Sequence, residues 1–251
     1  MRAILMAAGV GSRLGTDLGR PKCTMDVNGE PLIRHTVKML RDNSIKVALV
    51  VGYKKEMVKK ALEGLGVTYY YNPFYRVTNS MGSLWFSRNF ISAKEELILG
   101  NADVYWEQDI LDRLLSDSRD AVMLSDSSRI DCGDYFFKTE DGRIVNYGKD
   151  LTRENRDSEY VGLAKLKSGF LYGFKQRLNK CVEDEIYDLW WENVLYQYSK
   201  EIPVYTLDVS GHFWGEIDYM YDYDRILNYV KGRVSPHSPD GQYGKACAQP
   251  V

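Results

Sequence analysis

A glycine-rich segment, MAAGVGSRLG (residues 6–15), directly follows the first apolar run of the chain. Glycine costs backbone entropy in a regular element, so a glycine-rich loop indicates that something must approach the backbone closely. Arg13 can fork onto phosphate oxygens, and Lys22, after Pro21, adds a compact second positive charge. This segment predicts the binding of a phosphate chain, with backbone N–H groups offered by Ala8, Gly9, Gly11 and Ser12.

Two other phosphate-binding loops fit this segment poorly. A Walker A loop needs GxxxxGK[ST], and the sequence contains no such string. A dinucleotide-binding fingerprint needs GxGxxG, whereas Gly9, Gly11 and Gly15 are spaced one residue too long and the loop does not lead into a helix at once. The plain alternative is a tight glycine turn with an exposed arginine and lysine. The buried strand before the loop, together with both cations, favours phosphate binding.

The elements that must position this loop alternate between strands and helices. Apolar runs predict strands at 2–6, 46–53, 67–71, within 96–106, and at 121–126. Amphipathic or capped segments predict helices at 31–41, with Pro31 as the first helical residue, and at 55–66, 80–90 and 109–117. This alternation predicts an α/β fold with a doubly wound, mostly parallel sheet.

The pattern changes after about residue 126. A hairpin is predicted at 134–148, around the turn Glu140-Asp141-Gly142. Strands at 161–167 and 202–209 and helices at 169–184, 186–200 and 218–232 are expected to complete a small antiparallel part. We therefore expect a single domain over residues 1–233, in two parts (about 1–126 and 127–233). Residues 234–251, with Pro, Ser and Gly and little apolar content, are expected to be a disordered tail.

Composition excludes several classes of function. The 251 residues carry a net charge of −2, which argues against nucleic acid or an anionic membrane as the main partner. No stretch approaches the roughly 20 apolar residues of a membrane span, and no signal peptide is evident. The four cysteines form no CxxC and the three histidines have no metal-ligand spacing. These features predict a cytoplasmic protein with reduced thiols.

The loop AAGVGSRL followed by PK resembles the signature of nucleotidyltransferases that join a nucleoside triphosphate to a phosphate monoester. Two further segments, KCTMDVNG (22–29) and NSMGSLWFS (79–87), are similar to those of bacterial phosphocholine cytidylyltransferases and their relatives. The resemblance covers about residues 1–231. It implies a Rossmann-like nucleotidyltransferase fold in which the first part binds the nucleotide and the second covers the acceptor.

The resemblance also implies roles for the charged residues. Arg13 and Lys22 would stabilise the charge that develops on the α-phosphate and on the leaving pyrophosphate. Asp103, at the end of a buried strand, and Asp218, just before the last helix, would hold a catalytic Mg²⁺, with Glu216 beside them. Either aspartate alone would by default be a surface charge or a helix cap. The acceptor phosphate is already anionic, so no general base is required.

The expected base-binding residues are Asn79 and Ser83, whose small polar groups could bond the cytosine edge; the alternative is that Asn79 or Ser80 caps a helix. For the acceptor, the resemblance implies binding by a run of aromatic and acidic residues: Tyr187, Trp190, Trp191 and Glu192. Glu159, in a second segment, is a further candidate. Aromatic faces and carboxylates suit a quaternary ammonium or amine. The alternative is that tyrosine and tryptophan at helical spacing are core residues.

The sequence therefore predicts a Mg²⁺-dependent cytidylyltransferase. Its substrates would be CTP and a small amino-bearing phosphate or phosphonate, of the phosphocholine or 2-aminoethylphosphonate type. Two alternatives stay open. One is a sugar-1-phosphate nucleotidyltransferase, although the chain lacks the hexapeptide repeats that often follow that domain. The other is a nucleotide-binding regulator without catalysis, against which Arg13, Lys22, Asp103 and Asp218 all argue.

Overall fold

The computed structural model describes residues 1–14 and 19–232, without the side chains of Ser12 and Tyr198. The expected tail at 234–251 lies outside the described residues. In chain order the strands are β1 (Arg2–Ala7), β2 (Asp26–Val27), β3 (Glu30–Pro31), β4 (Lys46–Val51), β5 (Thr68–Tyr71), β6 (Leu97–Asn101), β7 (Val104–Trp106), β8 (Ala121–Asp126), β9 (Phe136–Glu140), β10 (Arg143–Gly148), β11 (Ser158–Leu166), β12 (Tyr205–Asp208) and β13 (Trp214–Glu216). The helices are α1 (Leu32–Asp42), α2 (Lys55–Ala61), α3 (Ser80–Phe86), α4 (Gln108–Ser116), α5 (Ser168–Glu183), α6 (Glu192–Tyr198) and α7 (Met220–Val230).

Nine strands form one sheet in the order β5-β4-β1-β6-β11-β8-β12-β10-β9. The first four of these are parallel to one another, and β12 is parallel to β8. Strand β11 is antiparallel to both of its neighbours, β6 and β8. The predicted fold class is confirmed, with the parallel half built from the first part of the chain. The insertion of β11 between β6 and β8 was not expected, because strand order cannot be read from apolar runs.

Helices cover both faces of the sheet because the parallel strands are apolar on both sides. In β1, Leu5 packs into one core with α1, α2 and α4, whereas Ile4 packs into a second core with α3, α5 and α6. Successive side chains of a strand point to opposite faces, so one buried strand serves both cores. Among the described residues, no helix is long and apolar enough to cross a membrane.

A separate two-stranded ribbon connects the two parts of the chain. β7 pairs antiparallel with β13, with Val104 opposite Glu216, and the Ile217 N–H donates to the Asp103 carbonyl oxygen at 3.0 Å. Trp214 anchors the ribbon, because its indole N–H donates to the buried Asp126 carboxylate at 2.8 Å. The ribbon brings the segment after β6 against the segment before α7, which lie more than a hundred residues apart in the sequence.

Several predicted elements have different bounds: the helix predicted at 55–66, for example, ends at Ala61. Helix α1 begins at Leu32, because Pro31 pairs with Asp26 in the β2–β3 hairpin. The predicted helix at 80–90 ends at Phe86 and is followed by a short 3₁₀ turn. The predicted helix at 186–200 begins only at Glu192, because the preceding segment bonds along residues 79–81 instead: the Asn79 and Met81 N–H groups donate to the carbonyls of Tyr187 and Leu189.

Candidate active site

A cleft of about 660 Å³ opens at the carboxyl ends of β1 and β6. Strand β1 lies between β4 and β6, so chain connections leave it in both directions. Ligands of open α/β sheets bind at such a switch point. The glycine-rich loop after β1, named the phosphate loop for its predicted ligand, lines one side of the cleft. The loop before α3, the start of that helix, the ends of β6 and β13, and aromatic residues of the second part line the rest.

The phosphate loop leaves its backbone accessible where a ligand would lie. Ala8, Gly9 and Gly11 line the cleft, and a Cβ at Gly9 would meet nothing within 4 Å. Gly11 has a φ of +71°, and a Cβ there would lie 2.7 Å from the Cγ of Lys22. Glycine at this position therefore allows the lysine stem to pass alongside the loop. Ser12 begins a short 3₁₀ turn that carries Arg13.

Asp218 binds both predicted catalytic cations. The Lys22 ammonium donates to Asp218 Oδ1 at 2.6 Å and lies 3.8 Å from Asp103 Oδ2. The Arg13 guanidinium donates to Asp218 Oδ2 and lies 3.8 Å from Asp134 Oδ2. All five of these side chains line the cleft. The structure thus brings together the predicted pair of cations and the predicted pair of aspartates.

These close charges shift one another's pKa values. Burial raises the pKa of Asp103 and raises that of Glu216 further, and the carboxylates around Glu216 add to its shift. Burial also acts to raise the pKa of Asp218, but Lys22 and Arg13 outweigh it and hold that pKa below its ordinary value. The pKa of Lys22 is raised by Asp103 and Asp218, which outweigh its burial. This part of the cleft is a group of partly buried acids with Lys22 and Arg13 as counter-charges.

Next to these acids, the cleft combines aromatic rings with a further buried carboxylate, Glu192, which is close enough to Asp103 and Glu216 for their charges to influence one another's pKa. Glu192 is 5% exposed, and its Oε2 has no hydrogen-bond partner among the described residues. Burial raises the pKa of Glu192 to about 7. The buried hydroxyl of Tyr160 also lacks a partner in the part of the chain that the structure describes. The Tyr160 hydroxyl and the Glu192 carboxylate are neighbours that shift each other's pKa, and both line the cleft, so a small change of geometry or a bound molecule would satisfy them.

Three aromatic rings, one stacked pair and one edge-on neighbour, contact one another in this part of the cleft. Tyr135 stacks on Tyr196 at 5.5 Å between ring centroids, and Trp190 meets the Tyr135 ring edge-on at 6.0 Å. Of these, only Trp190 was singled out from the sequence. The tyrosines were missed because they lie on separate elements, and nothing in the local sequence of either shows that the fold brings them together.

Three of the predicted acceptor residues do not line the cleft. Glu159 accepts from Arg129 Nε at 2.6 Å and from the Asp134 N–H at 3.0 Å. Its neighbour Tyr160 lines the cleft instead, because successive residues of a strand face opposite ways. Trp191 is fully buried and donates its indole N–H to Asn101 Oδ1 at 2.9 Å. It is therefore a core residue, as the alternative interpretation of the sequence expected. Tyr187 is 39% exposed outside the lining.

Both predicted base-binding residues line the cleft, and each also has a structural role. Asn79 is the N-cap of α3, and its side chain accepts from the Ser80 N–H at 2.8 Å. Ser83 Oγ accepts from Asn72 Nδ2 at 3.0 Å. The helix-capping alternative is therefore realised at Asn79. A hydroxyl can still donate a hydrogen bond while accepting one, so Ser83 keeps a donor for a ligand.

The family of the MobA-like NTP transferase domain matches residues 3–187. The chain belongs to this family. Its enzymatic class, nucleotidyltransferase, follows, and the alternative of a regulator without catalysis is set aside. The predicted resemblance to phosphocholine cytidylyltransferases is also confirmed, by the relatives described next.

Two relatives of this MobA-like chain match over most of both sequences. CTP:phosphoglutamine cytidylyltransferase of Campylobacter jejuni is 26% identical over 250 residues (88% of this chain, 97% of the relative). Choline-phosphate cytidylyltransferase of Streptococcus pneumoniae is 28% identical over 246 residues (92% and 99%). The solved CTP:phosphocholine cytidylyltransferase of S. pneumoniae shares the fold with a TM-score of 0.73 at 24% identity, covering 91% of this chain and 98% of that one.

We expect the adjacent tryptophans to respond differently to truncation. Trp191→Ala should lower the free energy of unfolding by about 3–5 kcal/mol, because it removes a fully buried ring and a buried hydrogen bond. Trp190→Ala, at a side chain that is 38% exposed, should cost about 1 kcal/mol or less. Urea unfolding of the two variants measures both values. Equal losses, or the reverse order, would contradict the core placement of Trp191.

We expect Glu192→Gln to change how stability depends on pH. A carboxyl group whose folded pKa is about 7, against an ordinary 4.5, loses folded-state stability as the pH rises between those values. Each pKa unit corresponds to about 1.4 kcal/mol. Between pH 4 and pH 8 the variant should therefore gain up to about 3 kcal/mol relative to the parent, as measured by urea unfolding at both pH values. A pH-independent difference would show that Glu192 ionises normally.

Proposed function

We propose that the protein is a Mg²⁺-dependent cytidylyltransferase that transfers CMP from CTP to a small amine-bearing phosphate or phosphonate and releases pyrophosphate. One observation carries the proposal. A single cleft holds an open glycine loop with two cations, a group of carboxylates beside them, and a buried carboxylate, Glu192, with one unpartnered oxygen next to aromatic rings. Such a cleft suits a reaction between a phosphate chain and a cationic acceptor.

The chain's own groups can support this transfer by position and charge alone. An anionic oxygen of the acceptor attacks the α-phosphorus, and the bond from that phosphorus to the pyrophosphate oxygen breaks. Lys22 and Arg13 are placed to turn from Asp218 to the phosphate oxygens, where they would stabilise the developing charge. No protein nucleophile or proton acceptor is needed, so holding the two substrates in line supplies much of the rate.

The acids at this end fit a hard divalent cation. Asp103, Glu216 and Asp218 lie close enough to influence one another's pKa values, and these three carboxyl groups outnumber the two cations, Lys22 and Arg13, that bind Asp218. The described residues contain no preformed group of three or more metal-ligating side chains. Mg²⁺ needs none, since it is commonly held by one or two carboxylates together with waters and substrate phosphates. Bound there, Mg²⁺ would neutralise phosphate charge.

Cytosine as the base is supported by the resemblance of residues 79–87 and by the relatives. CTP is named as the substrate of the phosphoglutamine enzyme. A third relative, CMP-5'-(3-aminopropyl)phosphonate synthase of Streptomyces rubellomurinus, is 32% identical over 157 residues, which cover 60% of this chain and 25% of that longer protein. Its name joins CMP to an aminoalkyl phosphonate, the second acceptor type that we propose.

The acceptor end favours an amine over a neutral sugar. Glu192 supplies a buried negative charge, and the rings of Tyr135, Trp190 and Tyr196 supply faces and edges beside it. Cations are attracted to aromatic faces by about 0.5–2 kcal/mol, depending on desolvation. A sugar would instead need many hydrogen-bond partners for its hydroxyls. A sugar 1-phosphate is therefore the less favoured acceptor, although some relatives carry the name bifunctional protein GlmU.

We expect pyrophosphate release to be fastest with CTP among the four ribonucleoside triphosphates, and with phosphocholine or 2-aminoethylphosphonate rather than glucose 1-phosphate. Lys22→Met should lower kcat/KM by about 10²–10³-fold without unfolding the protein, because it removes a charge placed for the transition state. Lys60→Met, at a solvent-facing position of α2, is the matched control and should be unaffected. Preferential turnover of UTP with a sugar phosphate would overturn the proposal.

We expect activity to disappear with EDTA and to return with excess Mg²⁺. Asp103→Asn keeps the shape of the side chain but removes a negative charge, so more Mg²⁺ should be needed for half-maximal rate. Asp112→Asn, on the exposed side of α4, is the control. Wild-type activity that resists EDTA, or identical Mg²⁺ curves for the two variants, would rule out a metal at this position.

A further inference from the structure

The buried side chain of Asn72 determines where the hydroxyl group of Ser83 can direct its proton. Asn72 follows β5, is completely buried, and is not among the residues that line the cleft. Its amide nitrogen Nδ2 donates to Thr78 Oγ1 at 2.9 Å and to Ser83 Oγ at 3.0 Å. Both amide hydrogens are thus given to hydroxyl groups of the loop before α3 and of the first turn of that helix.

Two further hydrogen bonds fix the orientation of this amide. Asn72 Oδ1 accepts from the Phe74 N–H at 2.9 Å, so a rotation of the amide by half a turn would place two donors face to face. Thr78 Oγ1 donates its own proton to the Phe74 carbonyl oxygen at 3.0 Å, and it therefore needs a donor from Asn72. The amide presents its nitrogen, and not its oxygen, to Ser83.

The hydroxyl proton of Ser83 is left for a ligand. Its Oγ accepts from Asn72, and no described residue accepts a hydrogen bond from this hydroxyl. Ser83 is 4% exposed, and it lines the cleft. Because buried polar groups are normally satisfied, the hydroxyl is placed to donate to a molecule bound in the cleft.

The two common pyrimidine bases differ in what they offer to such a donor. At ring position 3, cytosine carries a nitrogen lone pair and uracil carries an N–H. A donating hydroxyl forms a hydrogen bond with the former and faces a second donor in the latter. Oxygen O2 is the same in both bases, and at position 4 a donor would favour the uracil oxygen. Only a contact with N3 therefore agrees with the proposed use of CTP.

We infer that Asn72 is a positioning residue for base selection: by donating to Ser83 Oγ, it holds this hydroxyl as the donor to cytosine N3 and disfavours UTP. The inference rests on the proposed function and adds the residue that sets the polarity of the base contact. Asn72 itself touches no substrate. Its substitution should change the ratio of kcat/KM between CTP and UTP, whereas the loss of a merely structural residue would lower both values together.

The substitution Asn72→Asp tests this polarity, because an ionised carboxylate can only accept from Ser83. The parent's kcat/KM for CTP should exceed that for UTP by about tenfold or more between pH 6 and pH 8.5. In the variant this ratio should fall as the pH rises, since a buried carboxyl donates while it keeps its proton and stops donating once it ionises. Asn43→Asp is the matched control, because Asn43 Nδ2 also donates a hydrogen bond (to the Met39 carbonyl at 2.9 Å) but lies outside the lining of the cleft.

A second set of measurements places no charge in the core. Asn72→Leu removes the donor and leaves the Ser83 hydroxyl free to rotate, so the preference for CTP should fall at every pH. 3-Deazacytidine triphosphate has a C–H in place of N3, and the parent should bind it about tenfold more weakly than CTP. Ser83→Ala should bind the two nucleotides alike. Titration calorimetry gives these dissociation constants without any acceptor.

The possible results separate this inference from the proposed function. If Asn72→Asp and Asn72→Leu both keep the parent's ratio of CTP to UTP, Asn72 serves the fold alone and the inference is wrong, while the proposed function stands. If the parent binds CTP and its 3-deaza analogue equally, Ser83 does not donate to N3, and the inference is also wrong. If the expected ratios are found in binding but no amine phosphate accepts CMP, the proposed acceptor fails and the inference is retained. Tighter binding of UTP than of CTP would overturn both.

Discussion

The carboxylate of Asp218 is the shared counter-charge of the two cations beside the glycine-rich loop, and their positions depend on it. It accepts hydrogen bonds from Lys22 and from Arg13, whose positions in the chain are 196 and 205 residues away. These contacts require the ribbon of β7 and β13, which holds the segment before α7 against the end of β6. They also require a glycine at position 11, where any Cβ would strike the stem of Lys22. The glycine-rich loop, the β7–β13 ribbon and the two ion pairs therefore depend on one another.

The surroundings of Glu192, which we propose to bind the acceptor, depart from normal packing in a way that suits binding rather than stability. Glu192 and Tyr160 each keep a buried polar atom without a partner among the described residues. A folded core usually satisfies such atoms, and leaving them unsatisfied costs stability. Behind them, Trp191 holds Asn101, which in turn donates to Glu216 at 3.4 Å. A buried tryptophan thus orients polar groups at the cleft without touching the cleft itself.

The fold class and the phosphate end could be predicted from sequence, because both depend on local patterns. Buried apolar runs alternate with amphipathic helices, and the acids at 103 and 218 follow a strand and precede a helix, where the resemblance in the sequence led us to expect them. The acceptor end was predicted only in part. Periodicity cannot show that the backbone of residues 187–189 forms hydrogen bonds with that of residues 79–81. Because of these bonds, α6 begins only at Glu192 and the side chain of Trp191 lies in the core.

The central claim is that Asp218 holds the two phosphate-binding cations until metal and nucleotide bind together. Calorimetric titration of CTP into the parent enzyme and into Asp218→Asn, each with Mg²⁺ and with EDTA, tests it directly. With EDTA, the variant should bind CTP more tightly than the parent, because its cations are free and a repelling carboxylate is gone. With Mg²⁺ the order should reverse, because only the parent keeps the carboxylate that we propose as a ligand of the metal. The same order under both conditions would contradict the account.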